Sequence, residues 1–386
     1  MRVLHTSDWH VGRAVRGRSR DEEHKAVLEE IAGIVRDDGV DLVLVAGDIF
    51  DHQSPSAAAE QIAYKGLVDI AAAGAQIVMI SGNHDNADRL EAISPFLKLG
   101  GVHIGGKLRR PEDGGCVTVT APRTGESARI ALLPWPSRSR IITADELMGK
   151  DREDHQLKYK DRCRAILQFL CAGFEGSALN LVMAHLVITG AMLGGGERAS
   201  EMIEEYWVDP SDLRLGADYI ALGHIHQPQT LNLMGQQVWY SGSPLQMDFG
   251  EEKDKKSVYV FDAKPGGSVR TPRAIELKSG RRMLTVRGSV ASLMARKADF
   301  GDAYLRVILE ETARPGLADD VRELLPYAVE VRIDTPAPDG SSLMSRQGMQ
   351  PHDLLVTYFD HAKVSDEAAI KMFDEMVEQE NASPTA

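Results

Sequence analysis

Cysteine is scarce in this chain: Cys116, Cys163 and Cys171 are odd in number and form no C-x-x-C pair in 386 residues. A disulfide framework is therefore not expected, and a reducing compartment is. Long apolar runs are missing too. The most apolar stretch, 179–193, is broken by Asn180, His185, Thr189 and Gly190, which leaves it short of the roughly 20 residues that span a bilayer. Met1–Thr6 lacks the charged-then-apolar pattern of a secretory leader, so the expectation is a cytoplasmic chain with no membrane contact. Basic charge is in deficit: 44 Lys and Arg stand against 57 Asp and Glu, a net charge of −13. Duplex binding ordinarily uses a basic face, so this balance argues against nucleic acid unless a partner supplies one. What is present is ordinary for a globular protein, 43% apolar and 26% charged, which excludes disorder and fibres. At about 150 residues per domain the length suggests two or three domains.

Short apolar runs alternate with helical patterns through the first two-thirds of the chain. Strands are expected at 3–5, 41–46, 76–81, 130–134, 180–184, 219–222, 237–240 and 257–261. Val27, Leu28, Ile31, Ile34 and Val35 share one helical face that Gly39 can end, and further helices are expected over 57–73 and around Leu90, Ile93 and Leu97. The alternation implies a layered α/β domain over 1–278. The pattern resets near Ser279, and a strand–helix–strand–helix–strand unit over 279–335 gives a second, small α/β domain. A Pro-, Gly- and Ser-rich linker then leads into two amphipathic helices within 336–386, one carrying Leu354, Leu355, Tyr358 and Phe359, the other Ile370, Phe373 and Val377.

Chemistry-bearing side chains collect where the expected strands end: Asp8 and His10, Gly47 and Asp48, then Gly82 through Asp85 with Asn83 and His84 between, then His185, then Gly223 through His226 with His224. Each fragment alone is an ordinary polar turn. Five strand ends delivering Asp, Asn and His in this order imply one crevice at the carboxyl edge of a sheet. Carboxylate, amide and imidazole suit Mn²⁺, Fe²⁺ or Zn²⁺. Two such ions about 3.5–4 Å apart can bind and cleave a phosphoester, with one carboxylate bridging them. The neighbouring Gly47, Gly82 and Gly223 leave room for close backbone approach.

The D-x-H, GD, GNHD, H and GH-x-H series resembles the calcineurin-like metallophosphoesterase superfamily. His5–His10, Val45–Asp51, Ala221–His226 and Tyr240–Pro244 look more narrowly like its SbcD group of bacterial nuclease subunits. The resemblance implies a layered β-sandwich flanked by helices, a small capping domain over 279–335 and C-terminal helices. It implies that one metal is held by Asp8, His10, Asp48 and His226. The second would be held by Asp48, Asn83, His185 and His224, with Mn²⁺ in both places. His84 would steady the scissile phosphate or protonate the leaving oxygen. The implied activity is 3′→5′ exonuclease action on duplex DNA and endonuclease action on hairpins and blocked ends, in DNA repair, recombination and replication. The implied partners are an SMC-like ATPase of the SbcC type, docked by the terminal helices, and a second copy of the chain within a nucleoid-associated heterotetramer. Relatives outside bacteria carry His three residues after the bridging Asp. Here that position is Asp51, a candidate support for a ligating histidine, as is Asp85.

Arg13, Arg16, Arg18 and Arg20 lie in ten residues without an acid and are candidate DNA contacts. Arg138, Arg140, Lys253, Lys255 and Lys256 are weaker ones, expected as plain surface, and the loop 190–196 is a candidate substrate contact. Eight acids and two bases after residue 350 carry −6 of the −13, so nearly half of the negative charge sits in the expected docking tail. A small-molecule phosphodiesterase of the same superfamily, or a scaffold with a fossil site, are the competing readings; the added segments disfavour the first and the full ligand set the second.

Overall fold

Leu42–Val45 is apolar at every position because both of its faces are covered. In the computed structural model Leu42 and Leu44 pack between two sheets with Val3, Val78, Ile80, Ile130, Leu132, Leu181 and Met183. Val43 and Val45 pack outward with Leu4, Ile77 and Met79 against Val27, Leu28, Ile31, Ala63, Leu67 and Ile70 of two helices. At about 1.5–3 kcal/mol for each fully buried aliphatic side chain, this double burial drives the assembly. The helices are Asp21–Asp38, closed by Gly39 at φ 61°, and Ala57–Ala72, capped by the Ser56 side chain on the Ala59 N–H.

The structure describes residues 1–137, 159–194, 197, 207–233, 236–266 and 269–334, with short helical pieces between 352 and 373. The first six-stranded sheet has the order Arg273–Glu276, Ser257–Asp262, Arg2–Thr6, Leu42–Val45, Gln76–Ile80, Val102–Gly105, and its last four strands are parallel. The second has the order Gln229–Leu233, Gln236–Tyr240, Tyr219–Gly223, Leu179–His185, Ser127–Leu133, Cys116–Thr120, with a parallel centre. Its outer face packs on Ile166, Leu167 and Leu170 of the helix Tyr159–Cys171. The result is the helix–sheet–sheet–helix layering expected. Four edge strands (102–105, 116–120, 229–233, 273–276) and the helix 159–171 go beyond the elements expected from the sequence. Edge strands such as Arg273–Glu276 are largely exposed and polar, so they carry no continuous apolar run.

The third sheet is parallel, Met283–Gly288, Tyr304–Leu309, Ala328–Ile333, with helices Val290–Ala295 and Leu317–Leu324 between its strands. Its core, including Leu293, Val307, Leu309, Leu317 and Val321, is separate from the three cores of the larger body. Met283 and Tyr304 meet Val15 and Phe249 of the larger body. There Tyr304 OH donates to Glu23 at 2.7 Å, and Arg281 lies over the Tyr327 ring at 4.5 Å. Residues 335–386 form a separate unit in which 368–373 is helical. The linker, most of the two terminal helices, Arg138 and Arg140 lie outside the described residues. Among those described, no helix is long and apolar enough to cross a membrane.

Candidate metal centre

The parallel strands of the two inner sheets end at one rim. Asp8, Asp48 and Asn83 follow strands of the first sheet; His185 is the last residue of Leu179–His185, and His224 follows Tyr219–Gly223 in the second. Positive φ marks the place. Among the described non-glycine residues only Asp8 (53°), His10 (46°), Arg16 (48°), Asp48 (52°) and His224 (92°) adopt it. Such backbone costs of order 1–3 kcal/mol per residue and persists where surrounding structure enforces it. Four of these five are residues that the sequence singles out as metal ligands.

The three glycines are equally constrained. A Cβ on Gly47 would lie 2.3 Å from His185 Nδ1, one on Gly82 2.0 Å from Asp48 Oδ1, and one on Gly223 1.9 Å from the Ala46 carbonyl oxygen. Gly82→Ala is therefore expected to lower stability by about 1–3 kcal/mol, the usual cost of overpacking. Because the clash is with Asp48, the substitution should also weaken Mn²⁺ binding; thermal unfolding with and without Mn²⁺ checks both.

Two halves of the site are visible. In one, Asp8, His10 and His226 bring ligand atoms within 4.8 Å of one another; in the other, Asp48, His185 and His224 do the same. His10 Nε2 and His226 Nε2 face each other at 3.1 Å. Asn83 Oδ1 lies 2.9 Å from His185 Nε2 and 2.8 Å from His224 Nδ1. Asp48 stands between the halves, with Oδ2 at 3.6 Å from His10 Nε2 and 3.4 Å from His185 Nε2. A third grouping joins His84 to His10 and Asp48.

The donor set fits divalent cations. His185 Nδ1 donates to the Ala46 carbonyl at 2.8 Å, since a carbonyl only accepts, so the lone pair of a metal-binding neutral ring would lie on Nε2, which faces Asn83 Oδ1 at 2.9 Å. His226 Nδ1 donates to Glu251 Oε1 at 3.0 Å, which turns its Nε2 lone pair toward His10. His224 Nε2 is buried with no hydrogen-bond partner among the described residues. Burial pushes Asp8 up to about 6, tempered by His185 and His226, and pushes His10 down to about 3. Burial opposes charge on His185 as well, yet the Asp48 carboxylate lifts it to about 9. Converging ring nitrogens and an Asp8 carboxyl driven toward protonation share one remedy, a bound cation.

The supporting residues are as specific. Asp85 accepts from the Ile49, Phe50 and Gly82 N–H groups at 2.9–3.2 Å and so braces the Asp48 turn. Burial, then the nearby Asp48 charge, raises it to about 7 despite those donors. Asp51 Oδ1 lies 3.4 Å from both His10 Nδ1 and Arg13, while Oδ2 pairs with the exposed His52 at 3.2 Å. His84 Nδ1 donates to the Asp51 carbonyl at 2.8 Å, and its backbone N–H to Asp48 Oδ1 at 2.9 Å.

Several expectations need correction. Arg20 cannot meet DNA: it is 1% exposed, pairs with Glu23 at 2.8 Å and donates to the Gln246 carbonyl at 2.6 Å. Arg16 is engaged by Glu330 at 3.1 Å and by Asp248, and Arg18 lies over Tyr327 at 5.9 Å. These two line the seam with the third sheet, and of the four arginines only Arg13 borders the rim. Lys256 is not surface: it is buried and pairs with Glu251 at 2.7 Å. In the loop 190–196, Met192 and Leu193 are exposed and Gly194 N–H donates to Glu197, whose same oxygen accepts the His226 N–H; residues 195 and 196 lie outside the described residues. Two residues of the site go beyond the sequence reading: Glu251, and Trp135, which stacks on His224 with centroids 5.0 Å apart. The acid beside Lys253–Lys256 is a usable signal for Glu251, and none points to Trp135.

Comparison with known proteins agrees with this geometry. Residues 1–228 match the calcineurin-like phosphoesterase family. The SbcD subunit of the SbcCD nuclease of Bacillus subtilis (strain 168) is 37% identical over 288 residues, covering 74% of this chain and 71% of that protein. The SbcD protein of Rhodobacter capsulatus is 32% identical over 347 residues, covering 87% and 81%. That of Escherichia coli (strain K12) is 28% identical over 313 residues, covering 78% and 74%. A rim of Asp, Asn and His built from five strand ends, and this level of identity across most of the chain, point the same way: the chain belongs to the calcineurin-like phosphoesterases and, among them, to the SbcD family of nuclease subunits.

Proposed function

We propose that this chain is a two-metal DNA nuclease, cutting duplex ends 3′→5′ and opening hairpins and blocked ends. The carrying observation is the position of Asp48, whose carboxylate is shared by ligand groups from both sheets. Asp8, His10, Asp48 and His226 would hold one ion and Asp48, Asn83, His185 and His224 the other, with Mn²⁺ suited to this hard and borderline donor set. The ions would supply Lewis acidity and charge neutralisation to a phosphodiester. The protein's own part is to hold the ligands in a buried, strained frame. Asp85 braces the Asp48 turn, Glu251 orients His226, and Trp135 covers His224. His84, with Nδ1 committed to the Asp51 carbonyl, offers Nε2 to the phosphate or to the departing oxygen.

The wider assignment follows from the family. The unit 279–335 would cap the rim, and 336–386 would dock on an SbcC-type ATPase. Val68 on the helix Ala57–Ala72, and Phe96 and Leu99 on and just after the helix Ala87–Lys98, are exposed and suit a homodimer contact within a heterotetramer. A cytoplasmic, nucleoid-associated setting fits these partners. The protein, alone and with the ATPase, is expected to open hairpin-capped duplex DNA with Mn²⁺ and to shorten a labelled duplex from its 3′ ends. Hydrolysis of small phosphodiesters with intact DNA under every condition would overturn the nuclease reading in favour of a small-molecule enzyme.

A further inference from the structure

The segment 246–252 touches both the metal rim and the third sheet. Gln246 is buried and uses both ends of its amide: Nε2 donates to the Glu251 carbonyl at 2.9 Å and to the Asp254 carbonyl at 3.2 Å, while Oε1 accepts the Met283 N–H at 2.7 Å. Met283 opens the first strand of the third sheet. Two residues on, the Thr285 N–H donates to Glu252 Oε2 at 2.9 Å. Glu251 in turn accepts His226 Nδ1 at 3.0 Å and the Met247 N–H at 2.9 Å. An unbroken hydrogen-bonded path therefore runs from the backbone of the third sheet, through Gln246 and Glu251, to a candidate metal ligand.

We propose that Gln246 is a positioning residue that makes the metal affinity of the Asp8–His10–His226 half depend on docking of the third sheet. This rests on the two-metal reading given above. Glu251 keeps its charge partner Lys256 whatever happens at Gln246, so loss of the amide changes where the carboxylate sits rather than whether it is charged. An imidazole ligand takes its ring orientation from the acceptor behind it, and losing such a partner weakens metal binding about 10–100-fold. Movement of the third sheet pulls on Gln246 Oε1 and on Glu252 together, and both lie beside the turn that carries Glu251. The path gives any partner that shifts the third sheet a grip on one of the two metal sites.

Mn²⁺ titration calorimetry on the full chain, paired with thermal unfolding, tests this on Gln246→Met, Glu252→Ala and Ser289→Ala. Gln246→Met is expected to weaken one of two Mn²⁺ sites by about tenfold. Glu252→Ala, a partly exposed change that decides the matter if Gln246→Met does not fold, should weaken the same site to a smaller degree. Ser289→Ala removes the side-chain cap of the helix Val290–Ala295 within the third-sheet unit and touches neither Gln246 nor Glu252; it should lower Tm while leaving both affinities unchanged. Wild-type affinities in Gln246→Met and Glu252→Ala, or an equal loss in Ser289→Ala, would overturn the proposal. Fewer than two ions on the wild-type protein would instead overturn the two-metal reading beneath it.

Discussion

Asp48→Ala is expected to abolish DNA cleavage, with kcat falling at least about a thousandfold, and to leave the protein with fewer than two bound ions. The magnitude follows from what one side chain does. Asp48 is 1% exposed, its Oδ2 faces His10 and His185 from opposite halves of the site, and its Oδ1 receives the His84 N–H at 2.9 Å. Burial works against its charge, yet His185, His10 and His84 hold it well below the usual carboxylate range. Removing it takes a shared ligand from both groups at once and leaves histidines packed against each other. A ligand at a hundred times its Kd stabilises the folded state by about 2.7 kcal/mol, so Mn²⁺ should raise the Tm of the wild-type protein markedly and that of the variant much less. Metal analysis and thermal unfolding read this independently of activity. Full metal content in Asp48→Ala would remove Asp48 from the bridging role.

His84→Ala is expected to separate turnover from metal binding. Cleavage should fall about 10²–10⁴-fold, the range for loss of a positioned proton donor, while metal content stays at the wild-type level. Alanine keeps the backbone N–H that donates to Asp48, so the bridging carboxylate retains its support. The ring is anchored by the Asp51 carbonyl at 2.8 Å, which fixes the tautomer and the plane in which Nε2 meets substrate. His84 also groups with His10 and Asp48 within ligand distance, so loss of an ion in His84→Ala would identify it as a ligand instead. His84→Gln, which can still donate a hydrogen bond, should recover part of the activity if orientation of the phosphate is the main contribution.

The rim is legible in the sequence because its residues follow short, doubly buried parallel strands, and such strands read as unbroken apolar runs. Leu42–Val45 announces the turn that carries Asp48, and Gly47, Gly82 and Gly223 announce backbone contacts closer than a Cβ permits. The third sheet is legible because its strands and helices alternate within about fifty residues. The supports are not. Glu251 and Gln246 lie on a short turn without periodicity, and their partners His226 and Met283 are 25 and 37 residues away. Arg20 misleads because its acid, Glu23, lies just past the acid-free window, one turn along a helix that starts at Asp21. Arg16 misleads for a longer-range reason, since Glu330 is 314 residues distant. In both cases a run of basic residues suggests a DNA surface, whereas folding assigns the charges to carboxylates.

That reassignment bears on the net charge of −13. With Arg16 and Arg20 paired to carboxylates, Arg13 is the one of the four arginines left at the rim, and the DNA affinity of the lone subunit should be weak and fall steeply with salt. In the proposed assembly an ATPase partner would supply most of the phosphate contacts. All of this depends on two ions sharing Asp48. Crystals soaked in Mn²⁺ and measured at the manganese absorption edge should show two anomalous peaks at the rim, one beside Asp8, His10 and His226, the other beside Asn83, His185 and His224, with Asp48 reaching both. A single peak, or two that do not share Asp48, would contradict it.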